Sequence, residues 1–338
     1  MNLEDFLKPT QEELFNSLRK KYRSKALVHK DNYILVIGEA PIMLLAHLDT
    51  VHKKPVKFIY ESPDGNILMS PQGIGGDDRC GVYALVKAYK TAPVKPYLLF
   101  TCDEEVGGIG ADQFATDYNK GKLPLSLNTL KLLVGIDRKG SEDAVYYNCD
   151  NPEFEAYITS KGFKTASGSF SDISVIAPKL GIAAVNLSSG YYNAHTLHEY
   201  INRKQLEAVI QKVIEITADS VKSNFPKYAY IERTWPVSLN TGHYAWDYYG
   251  IYDKYTQKSW THAQEERIPS DLPSEMAGIY EELLETYSQS ELESYRKDFG
   301  DQIIYQLYEE ENASLYETVN VDDEIYNEWQ NFRKENGL

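Results

Sequence analysis

Pro41-Ile42-Met43-Leu44-Leu45-Ala46-His47-Leu48-Asp49-Thr50 is the stretch from which the fold can be read. Its first six residues are wholly apolar, the pattern of a short strand covered on both faces, as in a parallel sheet flanked by helices. Successive side chains on a strand point to opposite faces, so His47 and Asp49 leave its carboxyl end pointing the same way. An imidazole placed there can ligate a metal through one ring nitrogen, while Asp49 orients the ring through the other. A polar turn after a core strand accounts for the same residues, and only the segments beyond Thr50 separate the two possibilities.

The pattern recurs four times. Gly73-Ile-Gly-Gly-Asp77-Asp78-Arg79-Cys80-Gly81 precedes the helical spacing Val82, Leu85, Val86, Tyr89. Three glycines ahead of two carboxylates permit unusual backbone angles and a close approach. Adjacent carboxylates repel unless a cation lies between them, and one carboxylate shared by two metals resolves that repulsion. An Asp cap on the following helix is the plainer reading, and Asp78 can fill that role as well. Tyr97-Leu-Leu-Phe-Thr-Cys-Asp-Glu104-Glu105 is a second apolar strand ending in acids, with a helix expected from Ala111 to Tyr118. Neighbouring glutamates face different ways, which suits one to a metal and the other to the proton of an attacking water; a solvated acidic turn is the alternative. Leu130-Lys-Leu-Leu-Val-Gly-Ile136-Asp137 delivers a third strand-end carboxylate, followed by Arg138 and Lys139. Ile182-Ala-Ala-Val-Asn-Leu187 leads into Ser188 to Glu199, read as a loop over the site that carries both His195 and His198. His, Asp and Glu are the side chains that hold zinc where catalysis is the purpose.

In this order the residues resemble the co-catalytic zinc exopeptidases, the superfamily of peptidase T and bacterial leucyl aminopeptidase. The resemblance rests on His47-x-Asp49, Gly76-Asp77-Asp78-Arg79-x-Gly81, Glu104-Glu105-Val-Gly-x-x-Gly-Ala111, Asp137 and His195-Thr-x-x-Glu199, and it spans roughly residues 40 to 201. It implies that Asp77 bridges two divalent ions, with zinc the expected metal and manganese or cobalt also suited to the site. His47 and Asp137 would complete one shell, and Glu105 and His195 the other. Glu104 would be the general base and Asp49 the partner of His47. It also implies a cis peptide between Asp77 and Asp78, and it favours His195 over His198.

Many members of that superfamily insert a lid or dimerisation domain between the third carboxylate and the last histidine. Here only 58 positions separate Asp137 from His195. That leaves room for a strand (Ala144 to Asn148), a helix (Pro152 to Ser160) and one strand-helix pair through Lys179, and none for a domain of ordinary size. Such lids often recognise a substrate carboxylate, so the missing lid points to an aminopeptidase acting on small peptides or amino-acid amides. An amidohydrolase or deacylase of a modified amino acid is the second reading, and an inactive scaffold with a partner-binding tail the third. Arg138, Asn193 and Tyr192 are candidate substrate contacts.

Composition narrows the field. No apolar run approaches the roughly 18 residues of a membrane span, and the amino-terminal residues Met-Asn-Leu-Glu-Asp do not read as a secretory leader. Three cysteines, an odd and sparse set, fit a reducing compartment, so the expectation is a cytoplasmic protein with no membrane partner. Residues 221–338 hold 10 Lys and Arg against 23 Asp and Glu, a net of −13 out of −15 for the chain. Phosphate binding demands clustered basic groups, so nucleic acid is excluded as a partner. Homo-oligomerisation is left open.

The expected fold class is α/β, a mostly parallel mixed sheet with helices on both faces and no inserted lid domain, plus an acidic, Tyr-rich C-terminal extension. Residues 1–225 would form the catalytic domain and 226–338 the extension, with short helices at Glu281 to Tyr287, Glu291 to Tyr295 and Ile303 to Tyr308. Thr10 and Glu13 form a capping-box pattern for a helix to about Arg23. Lys25 to His29 and Tyr33 to Gly38 should pair as a hairpin, and Asn202 to about Ser223 should form a helix that closes the catalytic domain.

Overall fold

The computed structural model describes residues 2–52 and 54–233, together with scattered residues between 269 and 308. The chain divides into two compact units, Met1–Trp235 and Pro236–Leu338. The first unit begins with α1 (Glu4–Leu7), α2 (Gln11–Lys21), β1 (Ala26–His29), β2 (Tyr33–Val36), β3 (Ile42–His47), β4 (Tyr60–Glu61) and β5 (Ile67–Met69). It continues through α3 (Gly76–Thr91), β6 (Tyr97–Thr101), α4 (Ile109–Asn119), β7 (Leu132–Arg138), β8 (Asp143–Val145), α5 (Pro152–Ser160) and β9 (Lys164–Ala166). It ends with α6 (Asp172–Leu180), β10 (Ala184–Ser188), β11 (Tyr191–Tyr192), β12 (Tyr200–Asn202) and α7 (Arg203–Ser220).

Eight strands make one sheet in the order β1-β2-β6-β3-β7-β10-β8-β9. Its centre, β6-β3-β7-β10, is parallel, as is the β8–β9 pair; β1, β2 and the β10–β8 contact are antiparallel. Strand β3 shows why the run at 42–46 contains no polar residue. Ile42, Leu44 and Ala46 enter a core with Phe6, Leu14, Leu18, Val82, Leu85, Phe154, Leu206 and Val209. Met43 and Leu45 enter a second core, with Ala111, Phe114, Ile173, Ile176 and Leu180. Helices α1, α2, α3, α5 and α7 therefore cover one face, and α4 and α6 the other. Each buried Leu or Ile contributes about 1.5–3 kcal/mol, which ties strand order to helix packing.

Local signals set the ends of several elements. The Thr10 side chain accepts from the Glu13 N–H while Glu13 reaches back to the Thr10 N–H, so both halves of the capping box are present. Strands β1 and β2 pair as the expected hairpin, with Asp31 at φ 62° in the turn. Asn202 caps α7, which buries Leu206, Val209, Ile210, Val213 and Ile216. The segment after β10 differs from the expected loop. Tyr191–Tyr192 and Tyr200–Asn202 form a hairpin and join β5 and β4 in a four-stranded antiparallel sheet. Strands of two or three residues are too short to show an alternation, so the sequence carries no sign of this sheet.

In the second unit the described residues include a helix at Ala277–Leu283 and a cluster of Leu272, Met276, Tyr280, Leu283, Leu292, Ile304 and Leu307. This helix starts ahead of the expected Glu281, with Tyr280 buried on it. The tyrosine cluster Tyr244 to Tyr249 lies outside the described residues, as do parts of the other two expected helices. Among the described residues, no helix is long and apolar enough to cross a membrane.

At Gly81, α3 presses against β7: a Cβ there would lie 2.1 Å from the Ile136 carbonyl oxygen and 2.3 Å from Asp78 Oδ1. Backbone cannot yield as a flexible side chain does. Gly81→Ala should therefore lower unfolding free energy by about 1–3 kcal/mol in denaturant titration, the range for overpacking.

Candidate metal centre

Strands β3, β6 and β7 run parallel, so their carboxyl ends share one edge of the sheet, where open α/β folds place their sites. His47 ends β3, and Asp49 comes two residues later. Glu104 and Glu105 lie just past β6, and Asp137 lies near the end of β7. Asp77 and Asp78 sit at the start of α3 with non-helical backbone angles, joined by a cis peptide. His195 comes from the turn between β11 and β12 and has φ 66°. The structure brings together the seven residues that the sequence nominates for metal and proton chemistry.

Each imidazole nitrogen at the centre faces two carboxylate oxygens. His47 Nε2 is 3.2 Å from Asp77 Oδ1 and 3.5 Å from Asp137 Oδ1. His195 Nε2 is 3.2 Å from both Asp77 Oδ2 and Glu105 Oε2. A ring nitrogen carries at most one hydrogen and cannot satisfy two acceptors well. A cation can: ligand atoms held tetrahedrally at about 2.0–2.2 Å from zinc lie about 3.4 Å apart. His47, Asp77 and Asp137 form one group with metal-ligand spacing, Asp77, Glu105 and His195 a second, and His47, Glu104 and Glu105 a third, so Asp77 belongs to the first two. Glu105 Oε1 is buried without a hydrogen-bond partner, as expected of an oxygen shaped for an ion. The donor set therefore fits a pair of divalent cations.

Hydrogen bonds behind the cluster fix its members. Asp49 Oδ1 lies 3.2 Å from His47 Nδ1 and accepts from the Glu104 N–H, while Oδ2 accepts from the Glu105 N–H at 3.0 Å. One carboxylate thus aims the ring and sets the backbone of both glutamates. Burial opposes its charge, but His47 and these N–H groups win and hold it below the usual carboxylate range. Asp77 and Asp78 divide in character. Burial opposes the Asp77 charge too, yet His195 and His47 outweigh it and depress its pKa. Burial and Asp137 push Asp78 well up, and its oxygens accept from the His47 N–H at 3.2 Å and the Gly81 N–H at 3.0 Å. The Gly81 bond is the capping role expected of Asp78. Glu104 Oε2 stands 4.0 Å from His47 Nε2, at the edge of the cluster, and burial raises its pKa strongly.

Several participants escape sequence reasoning. Asn186, 1 % exposed, accepts from the Asp137 N–H at 2.8 Å and donates to its carbonyl at 2.7 Å. A lone Asn within an apolar strand is the only signal it leaves. Ser171 donates to Asp137 Oδ2 at 3.2 Å. Beneath them, buried Asp172 accepts from the Thr101 hydroxyl. Each candidate substrate contact has neighbours of its own within the chain. Arg138 stays beside Asp143, with a buried Nε that has no hydrogen-bond partner. The Tyr192 hydroxyl donates to Gln205, and its ring stacks on Tyr200. Asn193 bends at φ 54° and its carbonyl accepts from Thr196.

No protein-family model matches the chain, and no curated protein matches it. Among solved structures, the chain is similar to aminopeptidase PepT from Bacillus cereus, with 15% identity over 66% of this chain and 100% of that one, at TM-score 0.47. A tripeptidase from Staphylococcus aureus is similar at 16% identity, 64% and 95% coverage and TM-score 0.48. An aminopeptidase from the archaeon Desulfurococcus kamchatkensis is similar at 16% identity, 64% and 93% coverage and TM-score 0.49. With likenesses this distant, the chemistry of this chain has to be read from its own side chains.

Titration with Zn²⁺, Mn²⁺ or Co²⁺ should show two ions per chain by calorimetry and elemental analysis. Asp77→Ala should weaken both, since the residue belongs to both groups, whereas Asp137→Ala should weaken one. Two undiminished ions in the Asp77 variant would refute the sharing.

Proposed function

We propose that the chain is a metal-dependent exopeptidase that hydrolyses amino-terminal residues from small peptides through a two-metal-activated water. The observation that carries this reading is the Asp77 carboxylate, with one oxygen at 3.2 Å from each of two imidazoles, one at the end of β3 and one in the turn between β11 and β12. His47 and Asp137 would complete the shell on one side, and Glu105 and His195 on the other. Zinc is the ion this His and carboxylate set suits best, with manganese or cobalt as substitutes. Two bound cations would supply Lewis-acid polarisation of the scissile carbonyl and lower the pKa of the attacking water.

The chain's own groups account for the rest. Glu104, at the cluster edge and outside both shells, takes the proton of the attacking water and passes it to the leaving amine. Asp49 keeps the His47 ring in one orientation while the glutamates stay in register. The interval from Asp137 to His195 is filled by β8, α5, β9, α6 and β10. It holds no inserted domain that would grip a substrate carboxylate, which favours a free-amino substrate. An amidohydrolase of a modified amino acid is the second reading, with Arg138 at the end of β7, whose buried Nε pairs with Asp143 Oδ2 at 3.6 Å, as the cation that would hold a carboxylate.

The metal-loaded protein should cleave free-amino dipeptides or amino-acid anilides, and chelation should abolish the activity. Glu104→Gln should keep both ions and lose turnover by about 10²–10⁴-fold, the contribution of general acid–base catalysis. An active Glu104→Gln enzyme would remove Glu104 from this role. Preference for acylated over free-amino substrates would favour the amidohydrolase.

A further inference from the structure

Glu199 is fully buried and lies on neither side of the proposed ion pair. Its Oε1 accepts from the Asp77 N–H at 2.9 Å, and its Oε2 accepts from the Gly75 N–H at 2.8 Å. His52 Nε2 stands 2.8 Å from the same Oε2. These N–H groups open α3, whose N-cap Gly75 has no side chain to satisfy them. A carboxylate more than 120 positions along the chain performs the capping instead. His52 can occupy its place only because residue 73 is glycine, where a Cβ would lie 2.2 Å from the ring.

Glu199 also closes the segment that carries His195. Within it the Thr196 hydroxyl donates to the Asn193 carbonyl at 2.9 Å, the His198 N–H donates to that hydroxyl at 3.1 Å, and the Glu199 N–H donates to the Thr196 carbonyl at 3.3 Å. The segment is braced from end to end, so an anchor at Glu199 holds His195 as well. Resting on the two-metal reading, we propose that Glu199, braced by His52, is a positioning residue. It locks the His195 loop to the Asp77 loop and so sets the span across which the Asp77, Glu105 and His195 group takes its ion.

The other group is less dependent on this lock. Asp78 ties the start of α3 to β3 through the His47 N–H, and Asp137 is pinned by Asn186. Loss of the lock therefore separates the two ions. Glutamine at 199 has nearly the shape of glutamate, but its amide NH₂ turns a donor toward either the Asp77 N–H or the Gly75 N–H and His52 side. Neither N–H can accept from it; His52 Nε2 can accept only in the tautomer that leaves it without hydrogen, and the Gly75 N–H then still faces a donor.

A two-site Zn²⁺ titration by calorimetry tests the lock. Glu199→Gln, with folding checked by thermal unfolding of the metal-free protein, should keep one ion near wild-type affinity. The second should bind about 10–100-fold more weakly, the usual effect of losing a group that supports a ligand. His52→Ala should shift the same ion in the same direction, and His52→Gln, which can still donate to Glu199, should restore it. Wild-type affinity for both ions in Glu199→Gln overturns the proposal. If that variant does not fold, unchanged second-ion affinity in His52→Ala overturns it. A wild-type chain that binds no ion overturns the two-metal reading itself, whereas two ions bound equally by wild type and variants overturn only the lock.

Discussion

Acidic groups crowd at one edge of the sheet with too few hydrogens among them, and this shortage governs the local structure. Asp77, Glu105 and Asp137 face two imidazoles, while Asp49 stands behind His47. The buried guanidinium of Arg79 turns its Nη1 away, to the Phe6 and Pro9 carbonyls, although its charge is felt by Asp49 and Asp78. A buried carboxylate without a partner is penalised by several kcal/mol, so the arrangement demands positive charge at its centre. The same shortage explains why Asp78 and Asp172 behave differently. Burial pushes Asp172 up to about 7 and Asp78 well up, so charge on either is opposed by its surroundings.

Holding like charges close together requires a rigid frame, and the sheet provides it by fixing backbone rather than side chains. Asn186 grips both the N–H and the carbonyl of Asp137, Asp49 grips two successive N–H groups, and Asp78 grips the His47 N–H. In each case a polar side chain from a neighbouring element completes a bond that the strand ladder leaves open at its end. The β10–β7 register shifts between Asn186 and Ser188, at the point where the Asn186 side chain bonds to Asp137.

How much of the site is legible in the sequence depends on how far each residue reaches. Strand ends carry their side chains in fixed directions, so His47, Asp49, Glu104, Glu105 and Asp137 can be picked out from short apolar runs that end in acids. The capping box at Thr10 and the hairpin at Asp31 are equally local. Asn186 and His52 are not legible, since each acts on groups far along the chain and looks like an ordinary polar residue in its own segment. Glu199 stands within the stretch on which the resemblance to the zinc exopeptidases rests, yet nothing in that stretch shows that its partners are the Gly75 and Asp77 backbones. The small sheet of β4, β5, β11 and β12 is hidden for a different reason, since strands of two or three residues carry no period.

That small sheet makes the two halves of the site unequal. The His47 side chain is 2 % exposed, whereas that of His195 is 39 % exposed. The first group is built on strands packed between two helix layers, and the second depends on a turn that reaches over from a hairpin. Of the two imidazoles, that of His195 is the one solvent reaches. Glu104 lies near His47, 4.0 Å from its Nε2, on the sheltered side. An exposed imidazole supplied by a turn needs bracing that a strand-borne one does not, and among the described residues that bracing runs through Glu199.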